Sequence, residues 1–185
     1  SGTFKAGISV AAWASGGNLN TGRNAGAGFG IQTAAVMTGG NVPPQSNATE
    51  EYDGSSWTSV TNYPASKRFI VGAGTLTAGL VAGGSPYTNQ VTKYDGTNWT
   101  TVNSLPTPTN AGTMFGTQTA AVYSLGRTPG SPTGVTTTSE YDGTNWTSGG
   151  AAGTARYFLA AASYGSSGQA IFAYGEGSSL VSLSN

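Results

Sequence analysis

The chain has 185 residues, enough for one domain with a real core, yet only 8% are charged, against about 25% in ordinary globular domains. Seven basic and seven acidic residues cancel, so no net field draws the chain to nucleic acid or anionic lipid. With neither Cys nor His, thiol chemistry, Cys-based zinc sites and the commonest general base are excluded, and no apolar run nears the ~20 residues that span a bilayer.

The first predicted element is a strand over Gly7–Ala14, carrying Trp13. A Gly-, Ala- and Thr-rich stretch from Gly28 to Gly40 follows and reads as two short strands around a tight polar turn. The phrase Glu51-Tyr52-Asp53-Gly54-Ser55-Ser56-Trp57 closes this unit. The second unit repeats the pattern, with strands expected near Phe69–Gly74, Ala78–Ala82, Gln90–Tyr94 and Trp99–Val102. Its closing phrase is Lys93-Tyr94-Asp95-Gly96-Thr97-Asn98-Trp99, whose Asp-Gly pair supplies the positive φ that a reversing chain needs. The third unit runs through Gly116–Gly126 to Glu140-Tyr141-Asp142-Gly143-Thr144-Asn145-Trp146. A fourth, more divergent Gly-rich pair ends at Gly175 with no Trp behind it. No helical periodicity occurs, and 30 glycines would undermine helices in any case.

The four tryptophans, Trp13, Trp57, Trp99 and Trp146, are the only ones, and they stand 44, 42 and 47 residues apart. A period in the forties with aromatic and glycine marks predicts blades of a β-propeller. The expected fold is all-β: one domain over 1–185, with four blades of four antiparallel strands each. The units are about 23–60, 68–103 and 110–149, and then 156–184, which 7–14 completes. Pairing the N-terminal strand with the last blade would close the ring and remove two open sheet edges. The rival arrangement is a larger ring, cut from a longer polypeptide or built from several chains. Small residues at the expected innermost strands, such as Val71-Gly72-Ala73-Gly74 and Ala160-Ala161-Ala162, suit a narrow ring.

The Gly-Gly pair, the Tyr, the Trp and a basic residue opening the next unit together resemble the kelch repeat. The matching residues are Gly39-Gly40, Tyr52, Trp57 and Arg68; Gly83-Gly84, Tyr94 and Trp99; and Gly126, Tyr141, Trp146 and Arg156, with Arg23 opening the first unit. Tyr and Trp stand closer than in the usual kelch unit, the third unit has Leu125-Gly126 for the glycine pair, and Asn110 stands where Arg is expected. The Tyr-Asp-Gly-Thr-Asn-Trp-Thr flavour is similar to kelch-like repeats of marine bacteriophage structural proteins. That resemblance implies a non-enzymatic virion component (tail fibre, appendage or capsid decoration). Its expected partners are other virion proteins, copies of itself or a host-surface glycan, with no nucleic acid and no membrane insertion. The alternative is a secreted or cell-surface bacterial carbohydrate-binding propeller. Kelch propellers also include galactose oxidase, whose copper site needs the His and Cys-linked Tyr that this chain lacks; no cofactor, metal or catalytic residue is expected.

Asp53, Asp95 and Asp142 each precede Gly in the same turn, where Asp bonds its own backbone; the competing reading is a ring of acids. Arg23, Arg68 and Arg156 open their repeats. They either form a cationic mouth for a sialic acid, sulfate or carboxylate, or tie neighbouring sheets together. Trp57, Trp99 and Trp146 with Tyr52, Tyr94 and Tyr141 are read as inter-blade packing in preference to sugar-stacking platforms. The stretches Asn41–Thr49 and Arg127–Ser139 carry the longest, Pro- and Gly-rich loops, which are suited to partner contact.

Overall fold

The computed structural model describes residues 15–163, 170–173 and 175–176. Among them every regular element is a β-strand. Three four-stranded antiparallel sheets follow one another, each pairing its strands in chain order. The first holds β1 (Ala27–Ile31), β2 (Ala34–Thr38), β3 (Thr49–Tyr52) and β4 (Trp57–Val60). The second holds β5 (Val71–Thr75), β6 (Ala78–Ala82), β7 (Val91–Tyr94) and β8 (Trp99–Val102). The third holds β9 (Thr113–Thr117), β10 (Ala120–Ser124), β11 (Thr138–Tyr141) and β12 (Trp146–Ser148). β13 (Ala160–Ser163) and β14 (Ala170–Ala173) form a two-stranded antiparallel pair. The expected N-terminal strand 7–14 with Trp13, and most of the last unit beyond β14, lie outside the described residues.

The expected strands near 78–82 and 99–102 coincide with β6 and β8. The first strand of that unit starts later than expected, at Val71, because Phe69 has a φ of 56°. A left-handed residue breaks the pleat, so pairing resumes only beyond it. Ala25, Ala111 and Phe158 repeat this conformation, with φ of 58°, 54° and 56°. Its reason is a bond between sheets. Phe69 N–H donates to Ala25 O, Ala111 N–H to Phe69 O, and Phe158 N–H to Ala111 O, at 2.7, 3.1 and 2.8 Å.

The glycine pairs supply the second staple at each junction. Gly40 N–H donates to Lys67 O, Gly84 N–H to Thr109 O and Gly126 N–H to Arg156 O, at 2.7, 2.9 and 2.8 Å. Both residues of each pair sit at positive φ, which glycine tolerates and Leu125 (φ 64°) adopts under constraint. Among the described residues, no such staple joins the fourth sheet to the first.

Cores lie between consecutive sheets. Phe29, Val36, Tyr63, Ile70, Val81 and Tyr94 fill the space between the first and second, with Trp99 packed against them. Leu80, Val91, Leu105, Met114, Tyr123 and Tyr141 fill the next, with Trp146. The first strands β1, β5, β9 and β13 touch in that order. The second sheet approaches β1 closely: a Cβ on Gly79 of β6 would run into the Phe29 ring, and one on Gly72 of β5 would lie 2.8 Å from it.

Candidate functional site

The repeated closing phrase folds as a hairpin in which Tyr and Trp are direct cross-strand partners: Tyr52 with Trp57, Tyr94 with Trp99, and Tyr141 with Trp146. Their rings stack at 5.0, 4.5 and 4.8 Å. Trp99 also meets Tyr63 edge-on at 5.0 Å and Phe29 of the preceding sheet at 6.5 Å. Each indole is half-buried, and those of Trp99 and Trp146 pack into the core between their own sheet and the one before it. Trp99 Nε1–H donates to Thr61 O at 3.0 Å, and Trp57 Nε1–H donates to Gly17 O at 3.1 Å. At the third sheet Asn103 instead sends its amide to Thr144 O and Asn145 Oδ1, and Trp146 Nε1 is buried without an acceptor.

The aspartates serve the hairpin tips. Asp53 Oδ1 accepts the N–H of Ser55 and of Ser56, Asp95 Oδ1 those of Thr97 and Asn98, and Asp142 Oδ1 those of Thr144 and Asn145. The backbone N–H at the third position after each Asp is the leading influence, and it holds each carboxyl below its ordinary value. Among the described residues no group of three or more His, Cys, Asp or Glu side chains is placed to hold a metal ion.

The three arginines that open the repeats do not converge. Staples and bridges put Arg23 and Arg156 at one position of the unit, together with Lys67 and Thr109. Arg68 stands one residue further on, together with Asn24, Asn110 and Tyr157. In extended chain a one-residue shift turns a side chain to the opposite side. Accordingly the Arg23 side chain is fully buried and ion-paired with Glu50. Glu50 Oε2 also accepts Asn20 N–H at 2.7 Å, and Arg23 Nη2 donates to Met37 O at 3.2 Å. Arg156 is also fully buried, at 0% exposure.

Arg68 points the other way and lies over the Phe69 ring at 4.9 Å. There it joins Arg127, which sequence reasoning noted only as the start of a loop. The Arg127 guanidinium sits 4.6 Å from the Tyr157 ring, 4.9 Å from Phe158 and 5.9 Å from Phe69. Phe69 and Phe158, from the second and fourth units, touch at 5.0 Å. The Glu176 carboxylate pushes the Tyr157 hydroxyl up, burial adds to this, and Arg127 pulls it back.

The Phe pair borders a cavity of about 280 Å³, lined by all four units through Ala25, Phe69, Ala111 and Phe158, among others. A second cavity, of about 370 Å³, opens at the other end of the first strands, between Phe29, Gly74, Phe115 and Ala161 among others. The signal that would have revealed the cluster is register: aligning the units on their bridges pairs Asn24 with Asn41, Arg68 with Ser85, Asn110 with Arg127 and Tyr157 with Glu176. The chain matches no model of a known protein family and no curated protein.

Proposed function

We propose that the chain is a four-bladed, kelch-like β-propeller, and that it serves as a non-enzymatic structural or adhesive component of a bacteriophage particle, as a fibre, appendage or capsid decoration. It presents loops to host glycan or to neighbouring proteins. The observation that carries the ring is the contact of Trp57 with the segment before β1. Gly17 accepts its indole N–H as Thr61 accepts that of Trp99. Leu19 lies by Trp57, at the offset from Trp13 that Tyr63 has from Trp57 and Leu105 from Trp99. Chain leaving Trp13 therefore meets the first sheet as chain leaving Trp57 meets the second. In a closed ring, Trp13 would belong to the outer strand of the fourth blade.

The role follows from where the reactive groups go. Asp53, Asp95 and Asp142 are tied to their own turns, and Arg23 and Glu50 are buried together. That distribution supports a scaffold whose variable loops, Asn41–Thr49 and Arg127–Ser139, meet partners. Mass spectrometry of purified particles, with imaging of the particle surface, tests the reading. The chain is expected in the particle at fixed stoichiometry; recovery only as free secreted protein overturns it. The second reading, a secreted or cell-surface carbohydrate-binding propeller, draws support from the Arg68–Phe69–Arg127 cluster, since aromatic faces and guanidinium groups suit sugars. A glycan array on the whole chain tests the adhesive part of both readings.

A further inference from the structure

We propose that the cluster of Arg68, Phe69, Arg127, Tyr157 and Phe158 is a binding site for a single carboxylated sugar unit, a uronic or nonulosonic acid. The proposal rests on the adhesive reading above and names its ligand class.

Phe69 and Phe158 border the cavity, and the bridge residues next to them in the chain do not follow the repeat. Four bridge pairs are geometrically equivalent, yet they read Asn24–Asn41, Arg68–Ser85, Asn110–Arg127 and Tyr157–Glu176. The structural marks of the units, by contrast, are nearly identical phrases. The fold therefore does not select these eight side chains.

Two of them are guanidinium groups with no carboxylate ion-pair partner among the described residues. The ion pair of the described residues is Arg23 with Glu50, and Nε of both Arg68 and Arg127 is buried without an acceptor. A buried, unmatched donor on a cation is costly, and an incoming carboxylate supplies the missing acceptor in the geometry that guanidinium prefers. Glu176 is the acid set nearby, engaged with Tyr157. Two guanidinium groups with one carboxylate in the neighbourhood, itself engaged with Tyr157, leave a single positive charge in excess, which suits one ligand carboxylate better than a polyanion.

The aromatic component carries a second, independent argument. The left-handed backbone at Ala25, Phe69, Ala111 and Phe158 belongs to the staples, but the choice of Phe does not. Bulky residues are disfavoured there, and Phe158 also leaves 43% of its surface exposed. Glycine would hold the same staple with less strain. What Phe adds is a flat apolar face beside the guanidinium groups, on which the C–H face of a pyranose packs. Alanine at 25 and 111 keeps the flanking space open. At about 280 Å³ the cavity takes one sugar ring and has no room for a folded peptide.

Calorimetric or saturation-transfer titration of the full chain with methyl glucuronide, methyl sialoside, methyl glucoside and a Glu-rich peptide tests the site. At least one acid sugar is expected to bind at least about tenfold tighter than the neutral glucoside, and Arg127→Gln to remove about tenfold of that affinity. Phe158→Gly is expected to weaken binding similarly while leaving the melting temperature unchanged or higher, an outcome that a purely structural Phe does not give. Affinity for both acid sugars no higher than for the glucoside, no saturable binding of either acid sugar, or capture of the acidic peptide alone overturns the proposal. Array binding that survives both variants overturns this site and leaves the adhesive reading standing; silence across the array removes that reading as well.

Discussion

At the scale of single residues, the charged side chains divide by reach. Asp53, Asp95 and Asp142 act within three residues of themselves, so their role was legible from the Asp-Gly phrase alone. Their folded-state values are depressed below 3.8 by turn N–H groups. The stability they contribute is therefore complete above that value and is lost as pH falls through the folded ones. An NMR titration should find all three midpoints below those of the unfolded chain; ordinary midpoints would show the turns to be unlinked from acid unfolding. The arginines were not legible in the same way. Arg68 looks like Arg23 in a linear reading, but it stands one bridge position away, and that single step separates a buried ion pair from an aromatic mouth. Arg23→Ala leaves Glu50, at 2% exposure, charged and unpaired. A loss of about 3 kcal/mol is expected in urea unfolding.

At the scale of elements, the hairpins were readable because turn chemistry and strand propensity agree. The register of Tyr against Trp follows from the loop between them. The glycine pairs were visible in the sequence, but their purpose was not, since each staple joins residues of different units. The start of β5 was misjudged for the same reason: Phe69 has a strand-forming side chain, and a bond to Ala25 O from the preceding unit overrides it. Glycine within β6 shows how close the sheets approach. Gly79→Ala places a methyl group in the Phe29 ring, so a loss of about 1–3 kcal/mol is expected. Adding Phe29→Leu should recover part of it, and additivity of the two changes would refute the contact.

At the scale of the whole molecule, the all-β architecture and the order of the sheets were carried by the spacing of the tryptophans. The junction of the last unit with the first, expected because the last unit lacks the Trp that residues 7–14 carry, falls outside the described residues. If residues 7–14 complete the fourth blade, removing 1–15 strips its outer strand and its Trp, and several kcal/mol of stability should disappear. Chemical denaturation measures this; an unchanged midpoint would favour an open array.

The indole of Trp57 is held by the carbonyl of Gly17, a group every residue possesses. Such a latch has no amino-acid specificity, so the corresponding segment of another copy is chemically as good an occupant. Fidelity then comes from the tether: the short stretch between Gly17 and Ala27 gives the chain's own segment an effective concentration on the order of millimolar. Where copies are crowded to comparable densities, exchange between them competes on nearly equal terms, and a contact that ties a segment to its own first sheet becomes a hook that links it to the next.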